Sequence, residues 1–268
     1  MPRSLLRYPG GKLNAIKFIK PYWQQIQHSE FREPFVGGGS VFMQKSAVEK
    51  NWINDIDKNV VSFYKILADS QKLEELIDEL LKLKISKKAY DEIFYSKPRD
   101  NYGKAKRFYI LNRLSFSGIT KWNSFIGDVR YNIKSAQHLM RKTGEKLSSY
   151  KITSYDFADV ISAKSTEDNM FLFLDPPYTE AIHASAYGKK FEKKDHERLA
   201  KLLKKSKFSF LVTYDNTQFI RELYDWAYQK DYTWKYTVQQ THNKERNMGE
   251  ELFITNFEFK DKIQKKLI

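Results

Sequence analysis

Apolar and polar residues follow two patterns along the chain, one typical of buried strands and the other of amphipathic helices. In the N-terminal part, they predict a strand at residues 31–36, a helix at 41–50 and a second strand at 52–56. Leucines at helical spacing then predict a helix from about residue 60 to 83. A strand, a glycine turn, a helix and another strand form half of a doubly wound α/β unit.

The C-terminal part returns to the same alternation after a mostly helical middle region. An amphipathic helix is expected at residues 193–205, with its leucines on one side. The other predicted elements are strands at 151–154, 171–174, 208–213, 232–240 and 252–257 and a helix at 218–228. We therefore expect an α/β fold with a Rossmann-like sheet, interrupted by a mostly helical insert.

Positive charge is concentrated in that insert. The chain has 268 residues and a net charge of +14, and residues 82–146 hold 16 Lys and Arg against 5 Asp and Glu. A basic segment in an otherwise near-neutral chain is typical of a module that binds a polyanion such as nucleic acid. A lysine-rich solvated surface is the alternative. The ten aromatic residues of this segment either pack internally or stack on bases.

Several classes of chemistry are excluded by what the sequence lacks. The chain has no cysteine, so it has no disulfide, no thiolate zinc site and no thiol nucleophile for methylation at carbon 5 of cytosine. Its five histidines lack the spacing of metal ligands, so no metal site is expected. Neither a signal peptide nor an apolar run of about 20 residues is evident, which predicts a cytoplasmic protein.

The most specific motif is Asp175-Pro176-Pro177-Tyr178, which follows the apolar strand predicted at 171–174. Ligands of open α/β sheets bind at the carboxyl ends of the strands, so the motif lies where a site is expected. A turn stiffened by proline is the purely structural interpretation.

The residue types of this motif suit methylation of an amino group on a base. The amino nitrogen of adenine is a poor nucleophile because its lone pair is delocalised into the ring. Hydrogen bonds from its two hydrogens to the Asp175 carboxylate and the Pro176 carbonyl would free that lone pair. The ring of Tyr178 would stack on a base that has left the duplex.

Two glycine-rich segments predict a nucleoside site. Gly37, Gly38 and Gly39 lie between a predicted strand and helix, and Asp55 ends the next strand. An acidic residue there is suited to ribose hydroxyls, and glycines let a nucleoside approach the backbone. The sequence has no GxGxxG and no phosphate-binding GKS or GKT, which disfavours nicotinamide cofactors and nucleoside triphosphates. A second segment, residues 7–12, also contains two glycines, and an ordinary turn explains either segment equally simply.

These motifs occur in the order found in Dam-type DNA adenine N6-methyltransferases of the alpha group, which the chain resembles from about residue 5 to 257. The resemblance is carried by Tyr8-Pro9-Gly10-Gly11-Lys12, Phe35-Val36-Gly37-Gly38-Gly39, Asp55, Asn112-Arg113-Leu114-Ser115-Phe116-Ser117-Gly118, Asp175-Pro176-Pro177-Tyr178 and Glu250-Glu251-Leu252-Phe253-Ile254-Thr255-Asn256. It implies a Rossmann-like S-adenosylmethionine-dependent methyltransferase sheet with a mostly helical DNA-recognition insert. The catalytic domain would comprise residues 1–60 and 148–268, and the target-recognition domain residues 61–147. The implied reaction transfers a methyl group from S-adenosylmethionine to N6 of adenine in double-stranded DNA, by base flipping and direct in-line transfer.

The resemblance also implies roles for individual residues. The catalytic residues would be Asp175, Pro176 and Tyr178. The cofactor-binding residues would be Tyr8, Lys12, Phe35, Gly37, Gly39, Asp55, Asp156, Phe157 and Asp175. The DNA-binding residues would be Arg113, Phe116, Lys121, Trp122, Asn123 and Arg130. From the residues alone, Asp156 is equally well interpreted as a helix cap.

The segment that is expected to read the bases departs from the family's pattern at two positions. Many relatives that recognise GATC have asparagine where this chain has Ser117, and a base-reading arginine where it has Lys121. Lysine lacks the planar fork that makes the bidentate contact of arginine with guanine selective. The recognition sequence therefore stays open between GATC, a related short site containing adenine, and relaxed specificity.

Other interpretations also stay open at this point. They are methylation of RNA, methylation of a protein amide, and a nucleic-acid-binding module without catalysis. A protein-amide enzyme has no need of the basic insert, whereas RNA shares the phosphate chemistry of DNA. A cognate restriction endonuclease is a further possible partner, and the expected oligomeric state is a monomer or a weak dimer.

Overall fold

The computed structural model describes residues 5–8, 10–127, 131–179, 191–235 and 248–260. The described strands are β1 (Glu30–Glu33), β2 (Lys50–Asn54), β3 (Tyr150–Thr153), β4 (Met170–Leu174), β5 (Ser209–Asp215), β6 (Tyr228–Lys235) and β7 (Met248–Thr255). They form one seven-stranded sheet in the order β3-β2-β1-β4-β5-β7-β6. The first five strands of this order pair in parallel, and β7 runs antiparallel between β5 and β6. The expected Rossmann-like α/β sheet is thereby confirmed.

Most helices of this structure begin at a polar side chain that accepts a hydrogen bond from a backbone N–H of the first turn. The described α-helices are α1 (Ile16–Gln25), α2 (Ser40–Gln44), α3 (Lys58–Ala68), α4 (Ser70–Lys82), α5 (Lys87–Tyr95), α6 (Asn101–Leu114), α7 (Ile133–Leu147), α8 (Phe157–Ser162), α9 (Lys193–Lys204) and α10 (Gln218–Leu223). Side-chain caps of this kind include Asp57 for α3, Ser86 for α5 and Asp100 for α6. Such caps satisfy N–H groups that have no partner inside the helix.

Three predicted helices differ most in extent from the observed ones, and the part of the strand predicted at 232–240 that follows residue 235 lies outside the described residues. The predicted helix at 60–83 is two helices, because Asp69 ends α3 and its side chain caps α4 through the N–H of Lys72 at 3.1 Å. The predicted helix at 41–50 ends at Gln44, and the chain enters β2 at Lys50. The predicted helix at 218–228 ends at Leu223, since Tyr228 already pairs with β7. In the last case, ladder hydrogen bonds with a distant strand outweighed the local helical pattern.

The sheet is covered on both faces, which is why β4 is apolar throughout. Phe171 and Phe173 point into a core that they share with α1, α3 and the helices of the insert. Leu172 and Leu174 point to the other face, where they pack with α8, α9 and α10. Alternate residues of a strand face opposite sides of its sheet, so a parallel strand buried on both sides reads as a continuous apolar run.

The insert packs directly onto the catalytic sheet. Helix α3 contacts α6 and α7, and α4 also packs on α7. Residues of these helices belong to the same hydrophobic cluster as the adjoining face of the sheet. The division into domains at 1–60 with 148–268 and at 61–147 stays a prediction. Among the helices that the structure describes, none is long and apolar enough to cross a membrane.

The strand order reverses between β1 and β4, and the candidate site lies at this point. From β1, the chain continues through β2 to β3 in one direction, and β4 and β5 lie in the other. The glycine turn follows β1 and the Asp175 motif follows β4, so both lie at the carboxyl edge. A crevice forms at such a switch point because the connections leave the two central strands on opposite sides.

Candidate active site

A buried ion pair forms the centre of the site. The Nζ atom of Lys12 lies 2.8 Å from Oδ1 of Asp175, and the lysine is only 4% exposed. Thr213 on β5 donates its hydroxyl to the same Oδ1 at 2.7 Å. Lys12 also lies 4.7 Å from the centre of the Tyr178 ring. Two segments that are distant from Asp175 in sequence therefore fix one oxygen of its carboxylate.

A second carboxylate stands behind this lysine. Glu251 on β7 is fully buried, and its Oε1 lies 3.8 Å from Nζ of Lys12. Burial lowers the pKa of Lys12, but the charges of Asp175 and Glu251 raise it, and the result is a pKa above the ordinary lysine value. Lys12 is therefore a cation at neutral pH, placed between two acids. Glu251 belongs to the motif of the final strand, and no role for it was predicted from the sequence.

The glycine turn after β1 is held by the acid that follows β2. Oδ2 of Asp55 accepts a hydrogen bond from the N–H of Gly37 at 2.9 Å, and its Oδ1 accepts one from the N–H of Asp57 at 2.9 Å. Burial raises the pKa of Asp55 to about 6, although these backbone hydrogen bonds oppose the rise. Each carboxylate oxygen keeps a further lone pair that a hydroxyl of a ligand can use.

Glycine is required at this turn by both conformation and space. Gly37 and Gly39 have φ angles of 44° and 71°, in the left-handed region. A Cβ atom on Gly37 would lie 2.9 Å from the Tyr8 ring, and one on Gly38 would lie 2.8 Å from the Cβ of Tyr8. The ring of Tyr8 thus covers the turn.

Two buried groups under the turn were not predicted from the sequence. Glu33 ends β1, and its Oε2 accepts a hydrogen bond from the N–H of Phe42 at 3.0 Å. Burial and the nearby charge of Asp175 raise the pKa of Glu33 well above its ordinary value. The Tyr64 hydroxyl donates to the carbonyl of Gly37 at 2.9 Å. Only the position of Glu33 at the end of a strand could have indicated a role, since Tyr64 lies in an ordinary helical pattern.

Beyond the turn, the edge of the sheet offers an apolar wall with a polar end. The rings of Phe35 and Phe157 lie 5.4 Å apart, and Phe191 packs against both. Asp156 caps α8 through the N–H of Ala158 at 2.9 Å, so the helix-cap interpretation holds. Its other oxygen, Oδ2, lies 2.9 Å from the guanidinium of Arg198. A flat heterocycle with polar edges fits such a wall.

The loop after β4 is anchored to the end of β5. Thr179 donates both its N–H and its hydroxyl to the Asp215 carboxylate, at 3.2 and 2.6 Å. The Tyr178 ring lies beside that of Tyr214, with 6.2 Å between the ring centres. The hydroxyl of Tyr214 is in turn 2.8 Å from Nδ1 of the buried His196. These contacts keep the aromatic face of Tyr178 next to Lys12 and Asp175.

Most of the predicted DNA-binding residues lie in or near one loop of the insert. After α6, a 3-10 turn at Phe116–Gly118 leads into a loop that returns by a backbone bridge from Ser115 to Phe125. Phe116 and Trp122 are 50% and 47% exposed, so two large aromatic side chains of this loop are accessible to a ligand.

The polar residues of this loop differ in their surroundings. Partial burial lowers the pKa of Lys121, and the charge of the Asp57 carboxylate acts in the opposite direction. The amide of Asn123 donates to Asp91 at 2.7 Å and accepts from Lys87 at 2.9 Å. Arg113 is half-buried in the last turn of α6, and Arg130 lies outside the described residues.

The switch point therefore brings together Asp175 and Tyr178 from the catalytic prediction with Tyr8, Lys12, Gly37, Gly39 and Asp55 from the cofactor prediction. Phe35, Asp156 and Phe157 form the neighbouring wall. Among the described residues, no cluster of three or more His, Asp or Glu side chains is arranged to hold a metal ion. A strand order with this switch point, a glycine turn bound to an acid, and an Asp-Pro-Pro-Tyr edge define a methyltransferase of the Rossmann-like class.

Comparison with known proteins gives the family. The family model for D12 class N6 adenine-specific DNA methyltransferases matches residues 8–264, and the chain belongs to this family. It is an adenine-specific DNA methyltransferase, with S-adenosylmethionine as its methyl donor. The interpretations as an RNA enzyme, a protein-amide enzyme or a module without catalysis are thereby set aside.

Similar proteins span most of the chain. The Type II methyltransferase M.CviBI of Paramecium bursaria Chlorella virus NC1A is 27% identical over 264 residues, which cover 97% of this chain and 99% of that protein. The Type II methyltransferase M1.LlaDCHI of Lactococcus lactis subsp. cremoris is 28% identical over 204 residues, or 69% of each chain. The DNA adenine methylase of Escherichia coli strain K12 is 23% identical over 248 residues, which cover 84% of this chain and 85% of that one.

Proposed function

We propose that Asp175, Pro176 and Tyr178 methylate an adenine that has been flipped out of double-stranded DNA. The observation that carries this proposal is the asymmetric environment of the Asp175 carboxylate. Its Oδ1 is held by Lys12 at 2.8 Å and by Thr213 at 2.7 Å. No hydrogen bond to its Oδ2 is found within the described parts of the chain, and the side chain is 21% exposed. Oδ2 is therefore preorganised to accept a hydrogen bond from substrate.

In this mechanism, each part of the motif acts on the adenine amino group. Asp175 Oδ2 and the Pro176 carbonyl accept its two hydrogens, which returns electron density to the nitrogen. Tyr178 stacks on the base and keeps it in register with these acceptors. S-adenosylmethionine supplies a methyl group on a positively charged sulfur, suited to a single in-line displacement by an amine. The hydrogen held by Asp175 then leaves as a proton, for which the partial exposure of this side chain provides a path to water.

The residues of the neighbouring pocket suit a sulfonium nucleoside. Asp55 would accept hydrogen bonds from the ribose hydroxyls, since each of its oxygens accepts one backbone N–H, from Gly37 or from Asp57, and has a further lone pair. Phe35 and Phe157 would contact the adenine ring of the cofactor, with Asp156 at its polar edge. Tyr8, Lys12, Gly37 and Gly39 would surround the methionine portion.

For DNA recognition, we assign different tasks to the residues of the loop. Phe116 and Trp122 are exposed and would wedge into or stack on the bases. Lys121 would lie at a base edge and Arg113 and Arg130 at phosphates. The amide of Asn123, already bonded to Lys87 and Asp91, would reach a base only by exchanging these partners.

Replacement of Asp175 tests the catalytic part of the proposal. Asp175→Ala should lower turnover by about 10²- to 10³-fold, the scale of losing one preorganised hydrogen-bonding group. Affinity for duplex DNA should change little, because the loop that binds it is intact. Tritium transfer from labelled cofactor and a gel-shift titration measure the two effects. Asp168→Ala, an exposed acid before the amino end of β4, is the matched control. Turnover of Asp175→Ala near the wild-type value would refute this mechanism.

The recognition sequence is tested by methylome sequencing of a host that expresses the chain. We propose a short site containing adenine, either GATC or a related sequence, because Lys121 stands where a guanine-reading arginine is found in many relatives. Lys121→Ala should relax one position of the methylated motif, whereas Lys134→Ala on α7 removes an equivalent charge and should not. An unchanged motif with an unchanged rate would show that Lys121 does not read a base.

We also propose a protein that acts together with this enzyme. Two similar proteins carry names of Type II methyltransferases, a class that takes part in restriction and modification. This supports a cognate endonuclease that cuts the same unmethylated site, and a DNA substrate supports a cytoplasmic location. An endonuclease activity in the source cells that is blocked by prior methylation with this enzyme would identify the partner.

A further inference from the structure

One buried asparagine joins the loop that faces DNA to the segment that carries the catalytic lysine. Asn112 in α6 is 1% exposed, and both the oxygen and the nitrogen of its side-chain amide form hydrogen bonds. Its Oδ1 accepts a hydrogen bond from the N–H of Arg7 at 2.9 Å, and its Nδ2 donates to the carbonyl of Arg7 at 2.7 Å. The same Nδ2 donates to the carbonyl of Gly118 at 3.1 Å. One side chain thus clasps the backbone of two segments more than one hundred residues apart.

The two segments touch each other as closely as backbone allows. A Cβ atom on Gly118 would lie 2.2 Å from the carbonyl oxygen of Arg7, so only glycine fits here. Its φ of 77° also lies in the region that favours glycine. The guanidinium of Arg7 adds a hydrogen bond to the carbonyl of Ser115 at 3.0 Å. The 3-10 turn at Phe116–Gly118 therefore rests on the N-terminal segment.

From Arg7, the contacts continue directly to the catalytic pair. Tyr8 follows in sequence and lies over the glycine turn, and its carbonyl accepts a hydrogen bond from Gly11 at 3.1 Å. Lys12 comes next, donating to the Gly10 carbonyl at 3.0 Å and pairing with Asp175 at 2.8 Å. A shift of the recognition loop would be passed through Arg7 to the lysine that orients Asp175, because close-packed segments transmit displacements.

We infer that Asn112 is a positioning residue, which couples the reading of a base by residues 116–123 to the orientation of the catalytic carboxylate. This inference rests on the proposed roles of that loop and of Lys12. Without the clasp, the hydrogen bond from Arg7 to Ser115 and the packing of Gly118 hold the loop less firmly to the N-terminal segment, so a correct site and a near-correct site present Asp175 with more similar geometry. Asn112 therefore acts on the selectivity of the chemical step and leaves binding of the DNA backbone to the surface cations.

The sequence contains a closely matched control. Asn51 is 4% exposed and clasps the backbone of a single residue, accepting from the N–H of Val48 at 3.2 Å and donating to its carbonyl at 2.6 Å. It lies at the amino end of β2, away from the carboxyl edge of the sheet. Asn51→Ala and Asn112→Ala each remove a buried amide with a bidentate backbone contact, so a general loss of stability affects both.

The experiment compares kcat/KM of the full-length variants on two unmethylated duplexes. One contains the motif that the enzyme methylates, and the other differs from it by one base pair. The wild type should discriminate by roughly tenfold or more per changed pair. Asn112→Ala should lose most of this ratio and should have a lower kcat on the correct site, while Asn51→Ala keeps the ratio. Affinity for an unrelated duplex should stay within about twofold of the wild type, since phosphate contacts dominate it. An unchanged ratio in Asn112→Ala, or an equal loss in Asn51→Ala, overturns the inference.

Hydrogen exchange of the wild-type protein provides a test that needs no DNA and does not depend on whether a variant folds. S-adenosylhomocysteine added to the wild type should slow exchange in peptides that contain residues 8–12, 37–39 and 55, which tests the proposed cofactor site. The coupling adds slower exchange in residues 115–122, which the proposed cofactor site does not include. Protection of the first set alone overturns the coupling and keeps the cofactor site, and protection of neither set overturns the cofactor site on which the coupling rests. In folded Asn112→Ala, only the protection at 115–122 should disappear.

Discussion

At the scale of single residues, the ionisation state of Asp55 has a direct consequence for cofactor binding. Its pKa is raised to about 6 mainly by burial, so the carboxylate gains its proton at mildly acidic pH. The protonated form is the poorer acceptor for ribose hydroxyls, so affinity should fall as pH decreases. Below the pKa, we expect about a tenfold loss of affinity for S-adenosylhomocysteine per pH unit, measured by calorimetry from pH 5 to 8. Asp55→Asn should bind weakly with no such dependence.

A second variant tests the sign of this effect. The charge of Asp57 contributes to the raised pKa of Asp55, and its side chain caps α3 by accepting from the N–H of Asn59 at 2.8 Å. Asp57→Asn keeps a good capping residue but removes the charge. The midpoint of the pH dependence should therefore move to lower pH. A midpoint that stays in place would mean that a different group titrates.

The buried acid behind Lys12 leads to a prediction on the alkaline side. Lys12 faces Asp175, Glu251 and the ring of Tyr178, and the two carboxylates keep its pKa above the ordinary value despite burial. Glu251→Gln removes one of these charges and so lowers the pKa of Lys12. Because the neutral amine forms above the pKa, the alkaline decline of kcat/KM should start at lower pH than in the wild type. Glu250→Gln, on the exposed neighbouring residue, should leave the profile unchanged.

Lys12 and Asp175 could be selected from the sequence, but their pairing and the roles of Thr213, Glu251 and Asn112 could not be predicted from it. Motifs are recognised by residues that are close in sequence, or by familiar types at the ends of elements. Thr213 and Glu251 lie inside strands, where a threonine or an acid has many purely structural explanations. Their functional contacts join distant parts of the chain, so no local pattern distinguishes them.

At the scale of elements, the position of helix α8 depends on one buried arginine. Arg32 on β1 is 1% exposed, and its guanidinium donates to the carbonyls of Val160 at 2.6 Å and Ala163 at 2.8 Å. It also pairs with the buried Glu30 at 2.5 Å. The carbonyls at the end of α8 have no partner within the helix, and the planar guanidinium satisfies several at once. The helix carries Phe157 at its other end, beside its cap Asp156.

Arg32→Leu should therefore destabilise the fold by about 3–5 kcal/mol, since it leaves a buried carboxylate without its cation. Urea unfolding measures this loss. Affinity for S-adenosylhomocysteine should also fall in the folded fraction, because α8 is no longer anchored. The contrasting variant is Arg198→Ala, whose half-exposed pair with Asp156 should contribute only about 0–1 kcal/mol. Equal losses in the two variants would contradict the distinction between buried and surface pairs.

Element types were predictable because periodicity is local, while element ends were less so. Asp69 divides a continuous helical pattern by capping the following helix, a choice that depends on how α3 and α4 pack against α7. Tyr228 belongs to a strand because β7 is available to pair with it. In both places, distant partners changed the outcome of a local preference.

At the scale of the whole molecule, the distribution of charge predicts how DNA binding responds to salt. Residues 82–146 hold 16 of the 47 basic residues but only 5 of the 33 acidic ones, and they form the insert on one face of the sheet. Each phosphate contact releases counterions and adds about 0.9 to the slope of log affinity against log salt. The double variant Arg113→Gln with Arg130→Gln, at the two proposed phosphate contacts, should reduce this slope by up to about two.

Fluorescence anisotropy of a labelled duplex between low and moderate salt measures the slope. Lys201→Gln with Lys205→Gln removes the same charge from the region of α9, on the other face of the sheet, and should leave the slope unchanged. Cofactor affinity should be equal in all these proteins. Equal slopes for both double variants would mean that net charge, rather than the insert, attracts DNA.

The sequence by itself determined the class of chemistry. An Asp-Pro-Pro-Tyr motif at a strand end, a glycine turn, an acid after the next strand and the absence of cysteine leave few reactions, because each reaction demands particular functional groups. The βα alternation likewise determined the Rossmann-like sheet, and the concentrated charge predicted a module for nucleic acid. These inferences need only residue types and short-range order.

Only the tertiary structure decided how these groups meet. The strand order places β1 beside β4, which brings the glycine turn to Asp175 although their positions in the chain are far apart. Burial and neighbouring charges then decide protonation: burial raises the pKa of Asp55, and the charges of two carboxylates raise the pKa of Lys12. The clasp of Asn112 on Arg7 and Gly118 likewise exists only when α6 packs against the N-terminal segment. Contacts, burial and electrostatic fields arise between distant segments, and a chain of residues specifies them only once it has folded.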